Sequence, residues 1–481
     1  MRALGRAWLL AALYALVLFA LGVDRYATYR AGADLGLFAQ SIATVFAGFG
    51  NTMEHGSHFT FHFSPILYLC APLLLATHSA LALTALQALA GGLALPPLFL
   101  IARKRLPERL AFGVAIVGAL YPPLVGVTFT DFHENGFAPA ATLWLLWAVD
   151  ARRLRWAALF AALALAIKED QALILAFAGA CAAVYFAREG DRARATFGAA
   201  LCGLSLATFG LFFGVVRPLA GATKAWAPVH FYSWSHQAAP RGTTPWYSIG
   251  RPAYFLEAVV PLCFVCFWSP ALVLALPGFA EVLGSHEALT YTMGTHYAAV
   301  WIPYALFAFA LGLARIHRRA PHRATNLLRL STVLCALVLA FASPTHWGHY
   351  LGPYTAHDAA LDRAIARAGT TLNVGTFDEA YAHLGFDPLA RIGVGPDTRF
   401  ALADTTYANA EFTRNVRPLL QAEVARGRAR IVWSDDGVEL YERSGGTLGA
   451  GAEGATNAGS SSVARARALE RRAVDSGRRN E

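Results

Sequence analysis

Residues 80–128 read ALALTALQALAGGLALPPLFLIA, then RKRLPER, then LAFGVAIVGALYPPLVGVT, which makes two apolar runs separated by a basic break. The runs are 23 and 19 residues long. A helix of about 20 mostly apolar residues crosses the hydrocarbon core of a bilayer. This stretch therefore predicts two membrane-spanning helices joined by a short basic loop.

The rest of the chain has the same character. Of its 481 residues, 56% are hydrophobic and 15% are charged, and the mean hydropathy is +0.42. This composition is too apolar for an ordinary soluble enzyme, so most of the chain must be solvated by lipid. The net charge of +9 comes from short basic clusters between apolar runs. Such clusters indicate membrane topology rather than a nucleic-acid partner.

We predict an α-helical polytopic membrane protein with about eleven transmembrane helices. The runs are 7–23, 80–102, 110–128, 136–149, 154–167, 171–187, 195–216, 253–267, 270–284, 297–314 and 328–343. Lys and Arg concentrate in alternate loops, at 103–109, 152–155, 188–194 and 315–329. Basic loops are retained in the cytoplasm, so the N-terminus is predicted inside and the C-terminus outside.

One further apolar stretch, 63–77, would reverse this alternation if it were a span. It is short and contains Pro65 and Pro72. Both features suit an interfacial or re-entrant helix. We therefore assign it to the outer membrane face, within a first outer loop of residues 24–79.

The composition changes after the last span. A transmembrane domain of residues 1–343 is followed by a predicted extracytoplasmic α/β domain, 354–443, and a disordered tail, 444–481. Within the α/β domain we predict strands at Thr371–Val374 and Arg399–Ala403 and a helix at Glu411–Arg426. A hairpin is predicted over Ile431–Glu442, turning at Asp435, Asp436 and Gly437.

The unusual polar residues fall in the loops predicted to lie outside. Ionisable groups at span ends are costly to desolvate, so their concentration on one side suggests a functional site. They are Asp24, Asp34, Glu54, His55, His58, His62, Asp131, His133, Glu134, Lys168, Glu169, Asp170, His230, His236, Arg241, Arg251, His286, Glu287, His296 and Tyr297.

Simpler roles stay open for several of these residues. The Lys168–Asp170 segment could cap two short helices while Lys168 reaches the lipid headgroups. The turn around His133 could be an ordinary solvated turn, and Asp34 could cap an interfacial helix that begins at Leu35. His58 and His62 are four residues apart, which suits a metal if they share a helix face. Aromatic neighbours make an interfacial belt an equal alternative for these two histidines.

Five motifs carry a resemblance to a known family. They are Asp34-Leu-Gly-Leu-Phe38, His62-Phe-Ser-Pro65, Asp131-Phe-His-Glu134, Lys168-Glu-Asp170 and His296-Tyr297 with Pro303. In this order, over roughly residues 20–320, they resemble the bacterial membrane proteins of domain of unknown function 2079. That family is in turn similar to lipid-sugar-dependent glycosyltransferases of the GT-C fold, including protein mannosyltransferases and the aminoarabinose transferases of lipid A. The resemblance implies a bacterial inner-membrane location.

The GT-C similarity implies roles for individual residues. Asp34 matches a catalytic carboxylate in the first outer loop, and Lys168 matches a lysine at the outer end of a later span. Asp131, His133 and Glu134 are the other catalytic candidates. This turn departs from the transferases, which commonly have an Arg-Pro-Asp-like sequence there. The departure leaves the acceptor and a divalent metal open, and no other cofactor is expected. Substrate binding is assigned to Lys168, Glu169, Asp170, His58, His62, Arg241, Arg251, His296 and Tyr297.

The leading hypothesis is transfer of a sugar from a polyprenyl-phosphate donor, held in membrane lipid, to an acceptor on the outer face. Asp34 would be the general base, and Lys168, with Arg241 or Arg251, would hold the phosphate. A transporter or flippase is the alternative, with the same ions lining a translocation path. A third alternative is a non-catalytic membrane scaffold.

Overall fold

The computed structural model describes residues 2–223, 225–226, 228–229, 231–232, 250–341, 350–368, 373–406 and 415–444. Arg241, His230, His236 and nearly all of the predicted tail lie outside these residues. The described chain is mostly helical. It divides into two compact units, which are Met1–Ala20 with Phe59–Leu69 and Ala85–Trp347, and Leu21–His58 with Cys70–Thr84 and Gly348–Glu481.

The helices before the second unit's sheet are numbered in chain order. They are α1 Arg2–Ala27, α2 Ala33–Ala43, α3 Leu67–Thr77, α4 Leu81–Leu93, α5 Leu95–Arg103, α6 Glu108–Leu120, α7 Pro122–Phe129, α8 Ala138–Asp150, α9 Leu154–Leu165, α10 Glu169–Arg188, α11 Arg192–Leu211, α12 Arg217–Leu219, α13 Gly250–Val259, α14 Leu276–Gly284, α15 Ile302–Arg319 and α16 Pro321–Phe341. A π-helical segment, Phe212–Val216, joins α11 to α12.

Five helical segments of the described chain are long and apolar enough to cross a bilayer. They are Leu4–Ala27, Leu81–Arg103, Glu169–Arg188, Arg192–Leu219 and Pro321–Phe341. The pair α6 and α7 adds a sixth, bent by 49°. The bend lies where Pro122 and Pro123 begin α7, because a proline cannot continue the hydrogen-bond ladder of the preceding helix. Several other apolar runs form shorter helices, so the count of eleven spans stays a prediction.

The first unit has a core of small residues between α8, α9, α10 and α11. Ala148, Ala157 and Ala164 are fully buried there. Helices α10 and α11 approach each other so closely that a Cβ added at Gly179 would lie 2.7 Å from the Gly198 carbonyl oxygen. Small residues allow this close helix packing, which is common inside membranes.

The second unit contains a five-stranded sheet in the order β4-β3-β5-β7-β6. The short pair β1 Gly50–Asn51 and β2 Gly56–Ser57 is separate from it. Strand β3 is parallel to β4 and β5, and the other pairs are antiparallel. The elements are β3 Val374–Thr376, β4 Arg391–Ile392, β5 Phe400–Asp404, β6 Ala429–Asp435 and β7 Val438–Arg443, with α17 Ala356–Ala368, α18 Asp378–Leu384 and α19 Arg417–Ala425.

Several local predictions for this unit hold. Strand β5 overlaps the predicted strand, and the hairpin β6–β7 turns through Asp436 and Gly437, both with positive φ. Two left-handed residues suit a tight hairpin whose twist matches its strands. The predicted strand at 371–374 begins later, at Val374, and its first two residues are not described. The predicted helix is shorter and begins at Arg417, while residues 411–414 lie outside the description.

Helix α2 is part of the α/β packing of the second unit. A Cβ added at Gly36 would lie 2.5 Å from the Tyr381 ring of α18. The Gln40 side chain donates to the Asp387 carbonyl oxygen at 2.7 Å and accepts from the Tyr381 hydroxyl at 2.6 Å. The run that follows Asp34 is therefore buried in protein, and glycine at position 36 allows the close approach.

Candidate functional site

Lys168 occupies a break between two apolar helices of the first unit. It is the residue before the first turn of α10 and has an extended backbone. Its side chain is only 9% exposed, so Lys168 does not extend along a lipid-facing surface. The Lys168 Nζ atom lies 4.0 Å from Glu134 Oε1 and 3.9 Å from Asp170 Oδ2. Both distances exceed those of an ordinary hydrogen bond. The ammonium is neutralised by neighbouring carboxylates without being tightly bound to either.

The charge state of Lys168 follows from these neighbours. Burial alone would lower the pKa of its ammonium, because the charged form loses hydration. The carboxylates of Asp170, Glu134 and Glu169 outweigh burial and raise this pKa above its ordinary value. Lys168 is therefore a buried permanent cation. Glu281 of α14 also interacts electrostatically with Lys168 and Asp170.

Glu169 uses both carboxylate oxygens to hold the His62-Phe63 segment. His62 Nδ1 lies 2.8 Å from Glu169 Oε1, and the Phe63 backbone N–H donates to Oε2 at 2.7 Å. The Ile66 N–H also donates to the Ala166 carbonyl oxygen at 2.7 Å. Glu169 thus joins the start of α10 to the segment that precedes α3.

Gln87 fixes the turn that carries His133 and Glu134. Its amide nitrogen donates to the Thr130 carbonyl oxygen, and its amide oxygen accepts from the His133 N–H, both at 2.9 Å. A Cβ added at Gly136 would lie 2.8 Å from the Gln87 side-chain oxygen, so a larger residue there would displace the Gln87 amide. The turn is a well-defined buried structure, contrary to the alternative of a solvated turn. Glu134 has no exposed surface.

His133 lies between a carboxylate and a second histidine. Its Nδ1 is 3.0 Å from Glu134 Oε2. Its ring stacks on His296, with ring centroids 3.6 Å apart, and His296 in turn contacts Tyr297. Burial lowers the pKa of His133 to about 4. Burial, and then His133, lower the pKa of His296 well below its ordinary value. Both imidazoles are therefore neutral at pH 7.

We call this group the buried charge cluster. Its members are His62, His133, Glu134, Lys168, Glu169, Asp170 and His296. Asp131 lies on the same turn, half-buried, and its carbonyl oxygen accepts from Gln87 at 3.3 Å. Gln87 and Glu281 were not among the residues predicted from the sequence. Both stand inside apolar runs, and a polar residue in such a run is the signal that could have identified them.

Asp34 and His58 belong to the second unit. Helix α2 begins at Ala33 after Gly32, so Asp34 stands in its first turn and is not its capping residue. A carboxylate is stabilised there by the helix dipole. His58 is buried, with Nδ1 3.0 Å from the Glu54 carboxylate and its ring against Phe38.

The expected helix over His58 and His62 does not form. A 3-10 turn covers only His58–Thr60, because Glu54 holds the ring of His58 close to the preceding hairpin. No group of three or more His, Cys, Asp or Glu side chains in the described ranges is arranged to hold a metal.

Arg251, predicted to bind substrate, has a structural role in the first unit. Its guanidinium donates to the carbonyl oxygens of Leu283 and Ser285 at 2.9 and 2.6 Å and lies over the Tyr291 ring. Backbone carbonyls at the end of α14 thereby gain donors that the helix cannot supply. The second predicted phosphate ligand, Arg241, lies outside the described residues.

The fold resembles that of GT-C glycosyltransferases. The crystal structure of ArnT from Cupriavidus metallidurans bound to undecaprenyl phosphate matches with a TM-score of 0.55 and 12% identity, covering 90% of this chain and 97% of that one. The apo state of the same enzyme matches with a TM-score of 0.56 and 11% identity, covering 92% and 98%.

Sequence comparison identifies the family. Residues 25–364 match the predicted membrane proteins of domain of unknown function 2079, and the chain belongs to this family. No curated protein has a significantly similar sequence. The five ordered motifs predicted this membership.

Proposed function

We propose that the protein is a membrane glycosyltransferase that moves a sugar from a polyprenyl-phosphate donor to an acceptor on the outer face. The observation that carries the proposal is the buried charge cluster, built on a fold whose structural neighbour was crystallised with undecaprenyl phosphate. A buried cation beside several carboxylates and neutral imidazoles can serve both phosphate binding and proton transfer.

Lys168 is the proposed phosphate ligand. Its ammonium stays charged, and its two carboxylate neighbours lie 3.9 and 4.0 Å away. A phosphate oxygen would form a shorter charge-assisted bond of about 2.7–2.9 Å. The cation can therefore turn toward a donor phosphate without breaking a short ion pair. Charge that grows on the departing phosphate would strengthen this contact, which favours the transition state.

The proton of the acceptor needs a carboxylate base. In the transfer, the bond between the sugar carbon and the phosphate oxygen breaks, and a bond from the acceptor nucleophile to that carbon forms. The acceptor proton passes to the base, and polyprenyl phosphate leaves. Following the family resemblance, we assign the base to Asp34. Glu134, with neutral His133, is assigned to orienting the donor sugar or the acceptor, and Asp131 stays a candidate on the same turn.

Glu169 and His62 act as positioning residues in this proposal. The carboxylate of Glu169 already accepts from the Phe63 N–H at 2.7 Å and contacts His62 at 2.8 Å. These contacts hold the start of the interfacial segment next to Lys168. No step of the proposal uses a metal.

The transfer reaction is tested with purified full-length protein in lipid nanodiscs and a panel of polyprenyl-phosphate sugars, by following loss of sugar from the lipid. We expect turnover with at least one donor and a fall of about 10²–10⁴-fold in Asp34→Asn. The matched control is Asp397→Asn, the same chemical change at an exposed site of the second unit. Folded protein that binds no donor in the panel, or that moves the donor across the bilayer without releasing sugar, would refute the proposal.

The proposal requires the charge cluster to face the outer side. We place the protein in a bacterial inner membrane with eleven spans, a cytoplasmic N-terminus and an extracytoplasmic α/β domain over 354–443. Reporter fusions should be active outside after His133 and Ala356, and inside after Arg105 and Arg319. An outside reporter at Arg105 would overturn the orientation.

A further inference from the structure

A groove in the first unit lies apart from the charge cluster. It has a volume of about 1120 Å³ and is bounded by α8, α10, α11, α15 and the 3-10 segment Pro270–Ala275. Ligand pockets commonly measure about 300–1,000 Å³. The groove is therefore large enough for a lipid-sized ligand.

Most of the groove wall is apolar. Phe177, Cys181 and Tyr185 line it from α10 at spacings of four residues, which puts them on one helix face. Phe307 and Leu311 line it from α15. Tyr185 is 57% exposed. An exposed apolar wall on a membrane-spanning helix is a surface for hydrocarbon chains.

One end of the groove is basic. Six basic and two acidic side chains line it, which are Lys104, Arg105, Arg188, Arg194, Arg315 and Arg318 with Asp150 and Glu189. Asp150 accepts from Arg105 at 2.8 Å, and Asp191 accepts from Arg194 at 2.7 Å. Among the described residues, Arg188, Arg315 and Arg318 have no carboxylate within 4.0 Å. All three are exposed, so an anionic group of an incoming ligand can reach them.

The two polar regions mark opposite ends of α10. The charge cluster contains the residues at the start of α10, and Arg188 is the last of the 20 residues of this helix. A helix of that length is about 30 Å long, which is the thickness of the hydrocarbon core. A polyprenyl-phosphate donor held at Lys168 would have its phosphate at the other side of the bilayer from the basic end. Head groups bound at the two ends of α10 would therefore come from different leaflets.

We propose that this groove is a binding site for an anionic diacyl phospholipid from the leaflet that faces the basic loops. The phosphate would contact Arg188, Arg315 and Arg318, and an acyl chain would lie along the α10 and α15 walls. Basic pockets between membrane helices on the cytoplasmic side commonly bind anionic head groups. The sequence of residues along α15 supports this arrangement. Phe307 and Leu311 on the apolar wall precede Arg315 and Arg318 at the basic end of the same helix.

The test is native mass spectrometry of the full chain released from delipidated micelles and titrated with phosphatidylglycerol or phosphatidylcholine. We expect phosphatidylglycerol to bind more tightly. Each removed cation should weaken it about fivefold, so Arg315→Ala with Arg318→Ala should weaken it about 25-fold. The matched control is Arg319→Ala with Arg323→Ala, which removes the same charge from exposed positions outside the groove lining.

A second variant tests the apolar wall without changing charge. Ala178→Trp places a large ring in the groove and should reduce binding of both lipids. The ratio of the two binding constants should stay closer to that of the unmodified protein than it does in the Arg315→Ala, Arg318→Ala double variant. Equal binding of the two lipids by the unmodified protein would refute the proposal, as would equal weakening by the two double variants. Displacement of phosphatidylglycerol by undecaprenyl phosphate at equimolar amounts would instead assign the groove to the donor and overturn the proposal.

Discussion

The two ends of α10 differ in whether their charged side chains are buried. At its start, Lys168 is buried beside Glu134, Glu169 and Asp170, with positive and negative groups within a few ångströms. At its end, Arg188 is exposed and faces the basic groove. Burying a charge requires partners, because hydration is lost. An exposed charge keeps its water and needs none.

This contrast is a difference in what each end needs in order to fold. Exposed basic residues at a helix end keep their hydration, so folding requires no carboxylate partner for them. Burying a group of ions lowers the stability of the folded state by several kcal/mol unless its partners are well placed. Such a group therefore requires neighbouring contacts that hold each ion in position. Removing charges from the two ends should therefore have effects of very different size.

The largest effect is expected from Lys168→Met. It leaves three neighbouring carboxylates without their cation in a buried site, so the free energy of unfolding should fall by about 3–5 kcal/mol. Denaturant titration in mixed micelles measures the change. Arg188→Met, the same type of change at the other end, should stay within about 0.5 kcal/mol. Adding Asp170→Asn to Lys168→Met should restore part of the loss, and no restoration would mean that the ions act independently.

The next effect is pH-dependent. The pKa of His133 is lowered to about 4 in the folded state, against about 6.5 in an unfolded chain. The unfolded state therefore takes up the proton first as pH falls. Stability is retained above about pH 6.5 and declines toward pH 4, by about 3 kcal/mol in total.

Substitution tests this assignment. His133→Gln should flatten the decline of the unfolding free energy between pH 6.5 and 4, and His322→Gln, at an exposed position, should leave it unchanged. If the slope stays the same in His133→Gln, the neutral buried imidazole is not its source. His296 is stacked on His133 and should contribute a smaller slope of the same sign.

A smaller effect is expected from Glu169→Ala. The change leaves the Phe63 N–H and the His62 ring without their carboxylate, and a lost buried hydrogen-bond partner costs about 1–3 kcal/mol. Hydrogen exchange at the Phe63 amide should become faster. Glu189→Ala, at the exposed position that follows the last residue of the same helix, should alter neither quantity measurably. Unchanged exchange at Phe63 would show that Glu169 does not hold this segment.

Some features were predictable because one local pattern determines each of them. Apolar runs with alternating basic loops predicted a helical membrane protein, and Asp436-Gly437 predicted the hairpin turn. The ordered motifs predicted the family. The number of spans was harder to predict from the sequence, because Pro122 and Pro123 bend one apolar run and short 3-10 segments interrupt others.

Several residues of the charge cluster were named from the sequence, but their contacts were not. His133, Glu134 and Lys168 were expected to act together because their loops were predicted to lie on the same side of the membrane. That Glu169 holds His62, or that Gln87 fixes the His133 turn, depends on residues 107 and 46 positions apart. Sequence spacing carries no information about such pairs. The packing of Gly36 against Tyr381 was likewise hidden, because both residues fit ordinary helices.

The smallest effect is expected at the basic end of the groove, where Arg105 pairs with Asp150. Arg105 donates to Asp150 at 2.8 Å, but the arginine side chain is 31% exposed. An exposed ion pair contributes about 0.2–1 kcal/mol, and salt screens it over a Debye length of about 8–10 Å. Arg105→Ala should therefore lower the free energy of unfolding by no more than this amount at low salt. Repeating the titration at about 1 M salt should remove most of the difference. The loss in Lys168→Met should persist at the same salt, because its partners are buried. A salt-insensitive loss of stability in Arg105→Ala would show that the ion pairs at the basic end are also shielded from solvent. The contrast between buried ions at the start of α10 and exposed ions at its end would then be wrong.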